Sequence, residues 1–191
     1  MRADVVKTGQ WYDTALRALM WGGAGALLLA PAVAMRFTSE VNWTGSDFIF
    51  AGVLLFSACG TIELALRASG ALSYRAGVAT AVGTAFLLIW ANLAVGIFGD
   101  EDNAANLWLF AGPLAAVIGA IVARGRARRM MWAMIAAGAV QAAMGAVAAQ
   151  AGAWELDPRG LWQGLIASAV FTGMWLLAAA FFSAAGRSAR D

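Results

Sequence analysis

Charged residues divide this chain into six long apolar stretches. One of them, residues 48–66, contains only Glu63, and five contain no charge at all: residues 18–35, 76–99, 103–123, 130–154 and 160–186. A hydrocarbon core about 30 Å thick requires roughly 20 apolar residues for one helical crossing, and each stretch is about that long. The run Ala85–Trp90 places apolar side chains on every face, whereas the strands of a membrane barrel alternate.

The pattern therefore predicts an all-α fold, a polytopic transmembrane helical bundle of about six helices. Backbone polar groups in lipid must be paired internally, which favours helices for such stretches. We expect a single transmembrane domain over residues 1–191, with helices at about 17–37, 47–67, 74–98, 105–124, 129–150 and 160–185.

The three predicted outer turns share a short pattern. They read Glu-Val-Asn at 40–42, Glu-Asp-Asn at 101–103 and Glu-Leu-Asp at 155–157, and an aromatic residue opens the next helix in each case. Three tandem helical hairpins are one interpretation, because internal repeats recur in transporters. The other interpretation is that any series of hairpins with acidic outer turns gives the same short match.

The composition agrees with a membrane protein. Of 191 residues, 62% are hydrophobic and 13% are charged, with a mean hydropathy of +0.72. An ordinary soluble domain carries roughly a quarter charged residues. The net charge of +2 comes from basic residues in short clusters between the apolar stretches, which is typical of topology signals rather than of a nucleic-acid surface. We expect membrane lipids as partners and no nucleic acid.

The distribution of lysine and arginine predicts the orientation. With the N-terminus inside, only Arg36 and Arg159 of the 13 basic residues fall on the outer side. The acidic residues of the three outer turns form the mirror image of this bias. Since cytoplasmic loops carry the excess of Lys and Arg, we expect a multi-pass protein of a bacterial inner membrane with both termini in the cytoplasm.

The residue types needed for most catalytic and cofactor sites are scarce. The sequence has no histidine and a single cysteine, Cys59, inside an apolar stretch. Histidine haem ligation, histidine-containing zinc sites and Ser-His catalysis are therefore excluded. We expect no catalytic residue, no cofactor and no enzymatic activity.

Two polar residues in the predicted spans have competing interpretations. Glu63 has Arg67 four residues later, a spacing that favours an ion pair on the helix surface over a proton or cation site. Asn92, in the outer half of the third helix, is more consistent with a hydrogen bond between helices than with a polar pathway. Both remain candidate residues of a polar path.

Gln141 is the most central polar residue of the predicted spans. Ala133, Ala137 and Gly145 flank it at intervals of four, so it lies on a stripe of small residues where another helix backbone can approach closely. This pattern favours helix packing first, with a polar path as the alternative.

The densest charged feature is the outer turn formed by Asp100, Glu101, Asp102 and Asn103. Its oxygen ligands make it a candidate cation site. The turn does not match the Asp-x-Asp-x-Asp-Gly calcium loop, because Ala104 occupies the fifth position of that pattern. A solvated loop that caps the helix starting near Ala104 is the preferred interpretation, since acids stabilise helix N-termini.

Four segments resemble a group of small polytopic inner-membrane proteins found in proteobacterial genomes. They are Val41–Trp43, Asp47–Phe48, Asn92–Ile97 and Glu101–Leu107. The resemblance covers most of the chain through the fourth helix and implies a shared six-helix membrane fold, without an activity to carry over. The group has proline after the Glu-Asp-Asn sequence where this chain has alanine, so a rigid turn is not implied here.

Two functions remain open from the sequence. The preferred one is an accessory or scaffold subunit of a membrane complex, packing against other membrane proteins or further copies of itself. The short loops, the abundance of Gly and Ala and the shortage of buried charge favour it. The alternative is a small transporter or channel for a cation or small neutral solute, which the hairpin pattern favours.

Overall fold

The structure is a computed structural model that describes residues 2–99, 102–152 and 158–188, with side chains from residue 13 onward in these ranges. The described backbone is helical and contains no strand, which confirms the all-α helical bundle. The elements are α1 (Arg2–Ala34), α2 (Gly45–Ala68), α3 (Leu72–Ala94), a 3₁₀ segment (Ala104–Phe110), α4 (Ala111–Ala123), α5 (Ala127–Gly152) and α6 (Pro158–Ser188).

Six spans within the described residues are long and apolar enough to cross a membrane. The 3₁₀ segment and α4 together form one of them, and in α1 the span begins at Asp13. The other four spans follow the remaining helices. The chain is therefore an integral, multi-pass membrane protein, since a helix of about 20 apolar residues is the element that crosses a bilayer.

The end of α3 differs from the charge-free stretch that predicted it. The helix ends at Ala94 rather than at about residue 98. Gly96 and Gly99 have φ of 71° and 77°, a left-handed conformation that glycine adopts at little cost. The chain therefore turns while the sequence is still apolar, and the pattern of charges does not mark the helix end.

The described helices group into two units, residues 1–68 and residues 69–191. The first unit is a hairpin of α1 and α2. Trp21 meets Phe56 edge to face with ring centroids 4.9 Å apart, and Cys59 Sγ lies 3.8 Å from the Met20 carbonyl oxygen. These contacts place the middle of α1 beside the second half of α2.

The start of α2 is fixed by hydrogen bonds between Thr44 and Asp47. Asp47 Oδ2 accepts hydrogen bonds of 2.7 Å from both the backbone nitrogen and the hydroxyl of Thr44. The Thr44 carbonyl in turn accepts from the Asp47 backbone nitrogen at 3.2 Å. An acid three residues after a threonine pairs the free donors at a helix start, and the chain therefore enters α2 at a defined residue.

The second unit is a bundle in which α5 packs against α4 and α6, and α3 packs against α6. Its glycines allow close approach of helices. A Cβ atom on Gly119 would lie 2.6 Å from the Cβ of Ala133, and one on Gly77 would lie 3.1 Å from the Phe182 ring. Small residues serve this purpose at helix interfaces in membranes.

A very short turn joins α4 to α5. Arg124 and Gly125 both have positive φ, 49° and 72°, and the Arg124 backbone nitrogen donates to the Ala120 carbonyl at 3.1 Å. A left-handed residue after the last helical turn reverses the chain at once. The two helices therefore form a tight antiparallel hairpin.

Candidate functional site

Glu63 is held by two arginines in the first unit. Its Oε1 accepts from Arg67 Nε at 2.7 Å, and its Oε2 accepts from Arg17 Nε at 3.0 Å. The i,i+4 spacing predicted the first pair, and the structure confirms it; the second joins α2 to α1. Both carboxylate oxygens are engaged, and the three side chains carry a net charge of 2 − 1 = +1. This arrangement disfavours a cation at Glu63.

Asn92 lies in the second unit and is 2% exposed. Its Nδ2 donates a 3.0 Å hydrogen bond to the Asn106 backbone oxygen, which links α3 to the 3₁₀ segment. Its Oδ1 is buried without a hydrogen-bond partner among the described residues. The expected hydrogen bond across helices is therefore present, and one acceptor of the amide remains unpaired.

The sequence did not single out Asn106 as a site residue, yet it organises the turn after α3. Its Oδ1 accepts from the backbone nitrogens of Ile97 at 3.0 Å and Phe98 at 2.8 Å, and its Nδ2 lies 3.4 Å from the Phe98 carbonyl oxygen. The side chain is 3% exposed. An amide inside an otherwise apolar run was the signal available, because such a group is costly in a core unless paired.

The outer acidic turn is described only in part. Asp100 and Glu101 lie outside the described residues, and Asp102 is exposed. Asn103 Oδ1 accepts from the Ala105 backbone nitrogen at 2.9 Å, so it caps the 3₁₀ segment, as a residue with a side-chain acceptor does at a helix start. Capping near Ala104 was expected, and Asn103 is the residue that provides it. The residues described here include no cluster of three or more metal-ligating side chains.

Gln141 is completely buried in the middle of α5. Its side-chain Oε1 lies against Gly112 of α4, where a Cβ on residue 112 would stand. Its backbone oxygen accepts a 3.3 Å hydrogen bond from Ser168 Oγ of α6. The residue therefore lies where α4, α5 and α6 meet, and glycine at position 112 is what makes room for its amide.

Four buried side-chain atoms of the described residues have no hydrogen-bond partner, and all belong to the second unit. They are the acceptors Asn92 Oδ1 and Gln141 Oε1 and the donors Gln141 Nε2 and Trp175 Nε1. An unpaired buried polar group costs about 1–3 kcal/mol. This set of two donors and two acceptors, without a carboxylate, suits a neutral polar molecule or water.

Asn92 and Gln141 both contact the chain segment formed by the 3₁₀ segment and α4. Asn92 binds the backbone of Asn106, and Gln141 contacts Gly112, six residues later. The rise of a 3₁₀ segment continuing into an α-helix separates these positions by roughly 10 Å. The structure thus places both predicted residues against the 3₁₀ segment and α4, while Glu63 belongs to the other unit.

No family model, curated protein sequence or solved structure matches this chain. The interpretation of these residues therefore rests on their geometry and chemistry.

Proposed function

We propose that this multi-pass membrane protein is an accessory or scaffold subunit without a catalytic role, whose helix α1 packs against a transmembrane helix of a partner membrane protein. The proposal includes the bacterial inner membrane, with both termini in the cytoplasm, and membership of the proteobacterial group that four sequence segments resemble. The bias of basic residues supports the orientation.

The observation that carries the proposal is an open patch of glycines on α1. In the first unit, a Cβ atom on Gly22 or Gly23 would have no neighbouring atom within 4 Å. None of the residues from Asp13 to Ala34 is buried there. Two adjacent glycines lower the stability of a helix unless a close neighbour compensates for the missing side chains.

The second unit shows what such glycines do when they have a partner. Gly119 and Gly145 lie at contacts with Ala133 and Ser168 that leave no room for a Cβ atom. Gly22 and Gly23 have the same residue type on an apolar helix, and they lie on faces turned away from the Trp21 contact with α2. A partner helix packed there would complete the pattern found inside the second unit.

The test is photo-crosslinking in native membranes. A photoreactive residue at position 22 should form a cross-link to one membrane protein, in a complex that remains stoichiometric in native mass spectrometry after mild extraction. Gly22→Leu should abolish that complex, whereas Gly173→Leu, at an isolated and exposed glycine of α6, should leave it intact. A strictly monomeric, partner-free protein would contradict the proposal, and so would cross-links formed only within one chain or to a second copy.

A specific observation favours a second function, the passage of a small neutral solute through the second unit. The unpaired amide of Gln141, the unpaired Asn92 Oδ1 and the indole nitrogen of Trp175 offer two donors and two acceptors within the bundle. A neutral molecule with both donors and acceptors would pair them. The four unpaired atoms include no carboxylate, so they give no support to a cation as the solute.

Reconstitution tests this second function. Proteoliposomes containing only this protein should shrink and reswell faster than empty vesicles in gradients of urea or glycerol. Gln141→Leu and Asn92→Leu should each reduce the rate, while Gly173→Leu should not. Flux that is unchanged in both amide variants would show that the proposed path is wrong.

A further inference from the structure

An apolar groove runs between α1 and α2 of the first unit. Its volume is about 620 Å³, within the range of about 300–1,000 Å³ that ligand pockets occupy. Trp21, Gly25 and Leu28 line it from α1, and Val53 and Phe56 line it from α2. Gly25 leaves the space open, since no atom lies within 4 Å of its Cβ position.

On α1, an arginine lies on the face that lines the groove, one turn toward the N-terminus. Arg17, Trp21 and Leu28 are separated by four and seven residues, a spacing that places side chains on one face of a helix. Arg17 lies one helical turn beyond Trp21, about 6 Å along the helix axis. The guanidinium of Arg17 therefore stands just past the apolar part of the groove.

On α2, the second arginine lies on the same helix face as Phe56, which lines the groove. Phe56, Gly60, Glu63 and Arg67 follow one another at intervals of four, three and four residues, which again places them on one face. No atom lies within 4 Å of the Cβ position of Gly60. The open position at Gly60 thus leaves room on this face between the Phe56 ring and the Glu63 carboxylate with its two arginines.

Beside the groove, the two arginines form a site with unused hydrogen-bond donors for an anion. Glu63 engages only the Nε atoms of Arg17 and Arg67, and the two arginines have no further partner among the described residues. Their side chains are 38% and 70% exposed, and the two guanidinium groups share a single carboxylate. Guanidinium groups bind phosphate through paired N–H donors, so the unused terminal nitrogens fit a phosphate.

We propose that the α1–α2 hairpin binds an anionic phospholipid, with its phosphate between Arg17 and Arg67 and one acyl chain along the groove past Gly60 and Gly25. The two guanidinium groups select the anionic headgroup, because a zwitterionic lipid brings its own cation to a site that already holds two. The length of the apolar groove selects a lipid over free phosphate. Basic pockets between transmembrane helices bind anionic headgroups in this way.

The full-length protein, purified in neutral detergent and delipidated, provides the test. Three probes are added separately: phosphatidylglycerol, phosphatidylcholine with the same acyl chains, and inorganic phosphate. Native mass spectrometry should show one tightly bound phosphatidylglycerol per chain, and only this lipid should raise the unfolding temperature markedly. Equal binding of the two lipids would overturn the proposal, and so would stabilisation by phosphate alone.

Two pairs of variants separate the headgroup from the acyl chain. Arg67→Gln should weaken phosphatidylglycerol binding about fivefold without changing phosphatidylcholine binding, whereas Arg36→Gln, at an exposed arginine near the opposite end of α1, should change neither. Gly25→Leu should abolish tight binding, and Gly173→Leu should not.

Arg67 is exposed on the helix surface, so Arg67→Gln should keep the fold. It therefore still tests the phospholipid site if Gly25→Leu does not fold. Unchanged phosphatidylglycerol binding in Arg67→Gln would overturn the site. A lipid-free dimer whose formation Gly25→Leu abolishes would overturn it too, since a second copy would then fill the groove.

Discussion

The side-chain oxygen of Gln141 in α5 occupies the position that a Cβ atom of Gly112 in α4 would take. The two residues are therefore complementary: the glycine has no side chain, and the glutamine uses the space. Gln141 is fully buried, and both polar atoms of its amide lack a described partner. A tight packing contact of the second unit and two of its unpaired polar atoms therefore lie at the same residue.

Gly112→Ala should destabilise the second unit. The added methyl group overlaps the Gln141 amide, and overpacking a tight interface costs about 1–3 kcal/mol. Unfolding in detergent, followed by circular dichroism, measures the loss.

The matched control is Gly173→Ala, at a position with no atom within 4 Å. It should be neutral or stabilising by up to about 1 kcal/mol, because alanine favours helix over glycine. Combining Gly112→Ala with Gln141→Ala should recover much of the stability, since residues in contact are coupled. Additive effects of the two substitutions would contradict the contact.

Gln141→Met distinguishes a dry core from a hydrated or ligand-binding one. Methionine keeps the length and the unbranched shape while removing an amide whose two polar atoms are buried without a described partner. If the site is dry, the free energy of unfolding should rise by about 1–3 kcal/mol.

Gln150→Met, at an exposed position of the same helix, is the control and should change the free energy of unfolding little. A clear loss of stability in Gln141→Met alone would mean that water or a ligand pairs with the amide. That outcome would favour solute passage over a purely structural role for Gln141.

The helical spans were predictable because a charged residue is costly in any membrane-spanning segment. Each span can therefore be recognised from its own sequence. The end of α3 was not predictable, because the turn that follows it is held by the Asn106 side chain, which binds the backbone of Ile97 and Phe98 from a later segment. A pattern of charges contains no information on such a tertiary hydrogen bond. The sequence therefore predicted the apolar span and placed its end a few residues too late.

The candidate residues divide in the same way. The Glu63–Arg67 pair follows from helix geometry, so the sequence was enough to predict it. Arg17 is 46 residues from Glu63, and no spacing rule relates positions on different helices. The sequence likewise marked Gln141 as central, but Gly112 as its neighbour follows only from the way α4 packs against α5.

Asn106→Ala should loosen the turn between α3 and the 3₁₀ segment. It removes the acceptor of two backbone nitrogens, and each buried donor left unpaired costs about 1–3 kcal/mol. Hydrogen exchange measured by mass spectrometry should become faster over residues 95–99, and the protein should unfold earlier.

Asn103→Ala is the comparison, because it removes only the cap of the 3₁₀ segment. A lost cap costs about 0.5–2 kcal/mol, and the turn itself should stay protected from exchange. Equal loss of protection in the two variants would show that Asn106 has no special part in holding the turn.

Arg17→Gln should separate α1 from α2 more than Arg67→Gln does. Arg17 pairs with Glu63 across the hairpin, whereas Arg67 pairs with it inside α2 and is 70% exposed. Exposed i,i+4 pairs contribute little to stability. Hydrogen exchange over residues 13–25 should therefore become faster in Arg17→Gln and change little in Arg67→Gln. The cross-helix role would be refuted by the same exchange rates in both variants.

Reporter fusions at Asp102 and Arg126 should report opposite sides of the membrane. One span, Ala104–Ala123, separates these two positions, and a single crossing reverses the side. The excess of basic residues further predicts that Arg126 is cytoplasmic, so a phosphatase fusion should be active at Asp102 and a cytoplasmic reporter at Arg126. Activity on one side for both fusions would mean that this helix does not cross, and an exchange of the two activities would reverse the proposed orientation while keeping the six spans.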